Sequence, residues 1–166
     1  SRRQRQMCIR DRSEAGAKLA EYVSLDELFA QSDVIFLHCP LFPETEGMIN
    51  KENIAKMKDG VIIVNTARGL IIDTQALIQS LKNGKVGFAA LDTFEGEAGL
   101  YYLNKEGEKL DNDNMALLKS FPNVILSPHM AFYTEQAVSD MVENSIRGLL
   151  GVDGEGSELE LSLIHI

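Results

Sequence analysis

Cysteine is scarce in these 166 residues: only Cys8 and Cys39 occur. Two cysteines make no disulfide framework, which fits a reducing compartment and points to the cytoplasm. No His, Cys, Asp or Glu cluster has metal-ligand spacing. No apolar run approaches the ~20 residues that a membrane-spanning helix needs. The first residues are basic but lack a long apolar core, so they do not read as a secretory signal. Positive charge is outweighed as well, with a formal net charge of −9. That balance argues against nucleic acid or an anionic membrane as partner. There is no internal repeat beyond an alternation of elements, and no low-complexity linker.

What is present is 45% hydrophobic residues, enough chain for one domain with a real core. Residues 1–12, SRRQRQMCIRDR, hold five arginines and no period. Residues 151–166 are equally aperiodic. Both ends are expected to be foreign to the domain and receive no function. Between them the elements alternate. Ser24 to Glu27 has the form of a capping box and starts a short helix to about Ala30. Val34 to Leu37 reads as a buried strand, ended by His38-Cys39-Pro40. Asn50 can cap a helix over Lys51 to Met57. Val61 to Val64 is a continuous β-branched run, the form of a parallel strand buried on both faces. Asp73 caps Thr74 to Lys82, closed by Asn83-Gly84. Val86 to Leu91 is a third strand. A loop from Ala98 to about Asn112, with Tyr101 and Tyr102 as packing residues, leads to a short helix over 113–119. Val124 to Leu126 is a fourth strand. A helix over 134–150 has Ala137, Met141, Val142, Ser145, Ile146 and Leu149 on its inner face. Such alternation implies an α/β fold, a parallel sheet with helices on its faces and right-handed connections.

The residues able to do chemistry share one position. His38-Cys39-Pro40 follows the first strand, Thr66-Ala67-Arg68 the second, Asp92 with Glu95 and Glu97 the third, His129 the fourth. Strand ends of a parallel sheet lie along one edge, where open α/β sheets bind ligands. Arginine offers a planar fork for a carboxylate. Histidine moves protons near neutrality, and a carboxylate beside it fixes its tautomer. Arg68, Glu97 and His129 thus suit interconversion of a 2-oxo and a 2-hydroxy acid, with a cofactor supplying the hydride. Plainer readings stand beside this one. Arg68 is a surface arginine, His38 ends a strand, Cys39 is a small packing residue, and His165 lies in the tail. Glu95 and Glu97 are both loop charges, and spacing does not choose between them.

Three stretches, SDVIFLHCPLFPETEGMI, MKDGVIIVNTARGLIIDTQALIQSLKNGKVGFAALDTFEGE and FPNVILSPHMAFYTEQAV, resemble the D-isomer-specific 2-hydroxyacid dehydrogenases over residues 22–150. LDTFEGE with GLYY, and HMAFYT, resemble the D-lactate dehydrogenase branch. The resemblance implies that Arg68 binds the substrate carboxylate and carbonyl, that His129 donates the proton, and that Glu97, not Glu95, pairs with it. It implies NAD as cofactor, contacted by Cys39, Pro40, Thr45, Asn65, Thr66, Ala67 and Asp92, with Asp92 near the nicotinamide. It implies a small 2-oxo or 2-hydroxy acid as substrate and a homodimer in the full-length protein. Larger branched or aromatic 2-oxo acids, or a non-enzymatic role as an NAD-sensing corepressor, are the alternatives.

Two family features do not occur in the sequence: the G-x-G-x-x-G turn for the pyrophosphate, and the acidic residue beyond it. The expected fold is therefore an incomplete Rossmann-type NAD-binding domain. Residues 13–150 would be its second half, and residues 1–12 and 151–166 unassigned. Such a half is expected to leave one sheet face uncovered and to be inactive alone.

Overall fold

The computed structural model describes residues 22–97, 99–101, 104, 106–107 and 112–150, with backbone alone at 149–150. The expectations for residues 1–12 and 151–166, and those for Tyr102 and His165, lie outside the described residues. The chain divides after His129 into two compact units, taken separately below.

The first unit opens with α1 (Leu25–Gln31). Its capping box is complete: Ser24 Oγ accepts from Glu27 N, and Glu27 Oε2 accepts from Ser24 N. Next come β1 (Val34–Leu37), α2 (Lys51–Lys56), β2 (Val61–Asn65) and a 3-10 turn (Gly69–Ile71). They are followed by α3 (Thr74–Lys82), β3 (Val86–Leu91), α4 (Asp113–Ser120) and β4 (Val124–Leu126). The expected caps form. Asn50 Oδ1 accepts from Glu52 N and Asn53 N, and Asp73 Oδ1 accepts from Ala76 N. Each satisfies amides that a helix start leaves without intrahelical partners.

All four strands are parallel, and their spatial order is their chain order. Leu37, Asn65, Leu91 and Leu126 stand level at the carboxyl edge. One core holds the sheet to its helices. Ile35, Leu37, Val61, Ile63, Val86, Ala89 and Leu91 meet Leu28 and Phe29 of α1, Ile54 of α2, Leu77, Ile78 and Leu81 of α3, and Leu118 of α4. Burying side chains of this kind stabilises by about 1.5–3 kcal/mol each.

The other face corrects one expectation. The β-branched runs predicted strands buried on both faces, yet burial alternates. Ile35 and Leu37 are buried while Val34 and Phe36 are 41% and 54% exposed. Ile62 and Val64 are half-buried, and Ile125 is exposed. Successive side chains point to opposite faces, and α1 to α4 all pack on one of them.

The second unit contains α5 (Glu135–Leu150). Thr134 Oγ1 accepts from Ala137 N at its start. Of the residues expected on its inner face, Met141, Val142 and Ile146 are exposed.

Candidate active site

The carboxyl edge of the sheet gathers the expected residues of the first unit. At the end of β1, the His38 ring lies parallel to Phe36, and its Nδ1 is 3.2 Å from Thr66 Oγ1 at the end of β2. Cys39 is buried behind it. Thr45 folds the following loop: its hydroxyl donates to Pro40 O at 2.8 Å and accepts from Phe42 N at 2.8 Å.

At the end of β2 the chain must leave the sheet and present Arg68. Asn65 makes that turn. Its Oδ1 accepts from Ala67 N at 3.0 Å, and its Nδ2 donates to Arg68 O at 2.9 Å. A short amide side chain that bonds its own backbone two residues on is a recognised way to build a tight turn. Asn65 is fully buried, and its backbone carbonyl accepts from Asp92 N at 2.8 Å. Arg68 is half-buried, with Nη1 donating to Ala67 O at 2.8 Å. Gly69 follows, and here glycine is required by space. A Cβ on it would stand 2.1 Å from Phe94 C, 2.3 Å from Phe94 O and 2.5 Å from Glu95 N. The turn carrying Arg68 thus lies directly on the loop carrying Glu97.

That loop leaves β3 at Asp92, which is buried. Ser127 Oγ donates to Asp92 Oδ1 at 2.5 Å, and Asp92 O accepts from His129 N at 2.8 Å. Glu97 divides its carboxylate. Oε2 accepts from Phe94 N at 3.1 Å, and Oε1 is 3.0 Å from His129 Nδ1. Both side chains of the pair are about four-fifths buried, at 22% and 20% exposed. Glu95 is exposed, so the geometry separates two glutamates that spacing left equivalent. His129 has a left-handed backbone, φ +54°, unusual for a residue with a Cβ. Two acceptors, Asp92 O and Ser127 O, hold its amide there.

Tyr101 packs edge-on against Phe94, ring centroids 5.9 Å apart. Burial, and then the carboxylates of Glu97 and Asp92, raise its phenol above the ordinary tyrosine value. Among the described residues, no group of three His, Cys, Asp or Glu side chains is placed to hold a metal ion. None of their helices is long and apolar enough to cross a membrane.

The structure therefore brings Arg68, Glu97 and His129 to one edge of the sheet, where Asn65, Thr66 and Asp92 also lie. Sequence reasoning missed Gly69 and Ser127. The glycine directly after the arginine and the serine two residues before the histidine were the available signals.

A family model described as D-isomer specific 2-hydroxyacid dehydrogenase, NAD binding domain, matches residues 6–131. An aromatic 2-oxoacid reductase of Clostridium sporogenes is 49% identical over 145 residues, 87% of this chain and 44% of that protein. A D-lactate dehydrogenase of Lactobacillus delbrueckii subsp. bulgaricus is 45% identical over 137 residues, 82% of this chain and 41% of that protein. Among solved structures, a D-lactate dehydrogenase from Treponema pallidum has a TM-score of 0.76 at 45% identity, covering 84% of this chain and 43% of that one. The chain spans less than half the length of these relatives.

Proposed function

The chain belongs to the D-isomer specific 2-hydroxyacid dehydrogenase family, through its NAD-binding domain, and from this premise we propose that the whole protein interconverts 2-oxo acids and D-2-hydroxy acids with NAD. The single observation that carries the reading is the His129–Glu97 pair, 3.0 Å apart and mostly buried, beside a turn that ends in Arg68.

Residues at the carboxyl edge fit one end of the cofactor. Hydroxyls of Thr45 and Thr66, backbone groups of Pro40 and Ala67, the small Cys39 and the carboxylate of Asp92 are neutral or acceptor groups. Such a set suits an amide and sugar hydroxyls, with Asp92 toward the nicotinamide and Asn65 contributing through the turn that it folds. The sequence holds no glycine-rich pyrophosphate turn. When bound, NADH supplies the hydride.

The side chains supply the rest. Arg68 holds the substrate carboxylate with its planar fork and polarises the adjacent carbonyl. Glu97 occupies His129 Nδ1, so Nε2 is the nitrogen that hands its proton to the carbonyl oxygen as it becomes a hydroxyl. In the reverse direction Nε2 takes the hydroxyl proton, and the Glu97 carboxylate stabilises the imidazolium that results. The cytoplasm suits both the cofactor and the cysteine usage.

Two substrate sizes have support. The D-lactate dehydrogenases point to pyruvate, and the Clostridium reductase points to an aromatic 2-oxo acid. NADH oxidation by the full-length protein, with pyruvate, 2-oxoisocaproate and phenylpyruvate compared by kcat/KM, decides between them. His129→Gln or Arg68→Lys is expected to abolish most turnover of the preferred acid. NADH binding without reduction of any of the three acids refutes the dehydrogenase reading. The 166-residue chain alone is expected to show no turnover.

A further inference from the structure

The amide of Asn65 touches no reacting group in the reading just given, yet among the described residues it is one of the few fully buried polar side chains. Burying an amide is costly unless its hydrogen bonds are made. Here they are made within three residues, to Ala67 N and to Arg68 O. The backbone carbonyl of the same residue takes Asp92 N. Asn65 therefore clamps the peptide of Arg68 on one side and the strand end beneath Glu97 and His129 on the other.

We propose that Asn65 is a positioning residue for Arg68: its Nδ2 bond to the Arg68 carbonyl fixes the direction in which the guanidinium meets the substrate carboxylate. The inference rests on the role given to Arg68 above. Two alternatives on the same bonds fail on chemistry. A leucine of similar volume would strand Ala67 N and Arg68 O. An aspartate would keep the acceptor for Ala67 N but set a carboxylate oxygen against a carbonyl. Only an amide presents a donor and an acceptor in this order without charge. A group that acts mainly through Arg68 weighs more on the 2-oxo acid than on the nucleotide, although the same turn carries Thr66 and Ala67.

The test uses the full-length enzyme and three single variants, Asn65→Asp, Asn65→Ala and Arg68→Lys, with the Asn65→Asp, Arg68→Lys pair. Asn65→Asp conserves shape, so it reports on the bond without opening a cavity. The expected result for both Asn65 variants is a 10- to 100-fold lower kcat/KM for the 2-oxo acid, with NADH affinity falling by a clearly smaller factor. Adding Asn65→Asp to Arg68→Lys is expected to cost less than a further threefold, because the residue it positions is already gone. A residue with only a scaffold role gives losses that multiply, and NADH affinity that falls by as large a factor as kcat/KM. Either of those outcomes overturns the proposal, as does wild-type kcat/KM in a folded Asn65→Asp enzyme. Failure of both Asn65 variants to fold also overturns it, since Asn65 then serves folding. Undiminished activity in Arg68→Lys refutes the role of Arg68 itself and is read separately from the double variant.

Discussion

Gly69→Ala is the sharpest perturbation the structure offers. The new Cβ would meet backbone atoms of Phe94 and Glu95, at 2.1 Å from Phe94 C, where ordinary contact begins at 3.4 Å. Relief requires roughly 1.3 Å of backbone movement, the difference between those distances. Phe94 is buried and Leu77 and Leu118 are buried nearby in the unit, so no flexible side chain can swing away. Overpacking of this kind costs about 1–3 kcal/mol, and the backbone partners place this site at the upper end. Movement has two outlets: the turn with Arg68 shifts, or the loop with Glu97 does. Either one shifts Arg68 relative to the Glu97–His129 pair, and under the proposed roles an ångström of misplacement costs about 100-fold in rate. Gly84→Ala is the control. Gly84 has φ +77°, and nothing lies within 4 Å of its missing Cβ. It should lose about 1 kcal/mol from backbone strain and no activity. Urea unfolding with kcat/KM on the full-length protein measures both. A Gly69→Ala enzyme within 0.5 kcal/mol of the parent, or within threefold of its kcat/KM, sinks the idea that this close approach sets the site.

Glu97→Gln is expected to lower kcat/KM by about 100-fold, and His129→Gln added to it should cost less than a further tenfold, read from steady-state rates of the four enzymes. Tyr101 gives a pH dependence whose sign follows from its raised pKa. Above the ordinary tyrosine value near 10 the unfolded chain sheds its proton first, so this contribution to stability is intact below that pH and fades as pH rises through the folded pKa. Denaturant midpoints measured from pH 9 to 11 should fall less steeply in Tyr101→Phe, and equal slopes would count against it. Asp73→Ala removes the acceptor for Ala76 N and should cost about 1 kcal/mol in a thermal melt while leaving kcat unchanged.

Local chemistry was readable where the signal is local. Ser24 with Glu27, Asn50 and Asp73 cap their helices because the partners are two or three residues away. The strands followed from β-branched runs, and the shared edge for Arg68, Glu97 and His129 followed from their common place after strands. Contacts across the chain were not readable. Nothing in the spacing of Glu95 and Glu97 says which one reaches His129, 32 residues on from Glu97. Gly69 drew no reading of its own, because its partner, Phe94, comes from another strand end. The run at Val61 predicted a strand buried on both faces, since composition records how apolar a strand is and not which element covers it; the uncovered face was expected only from the missing half of the domain.

The strand ends are tied sideways as well as along the sheet. Asp92 N donates to Asn65 O, His129 N to Asp92 O and Ser127 Oγ to Asp92 Oδ1. Glu97 then closes the path by reaching His129, and Gly69 presses the turn of Arg68 onto the same loop. Every link in this path lies between residues 65 and 129. The ends of β2, β3 and β4, and with them Arg68, Glu97 and His129, are thus tied together inside one unit.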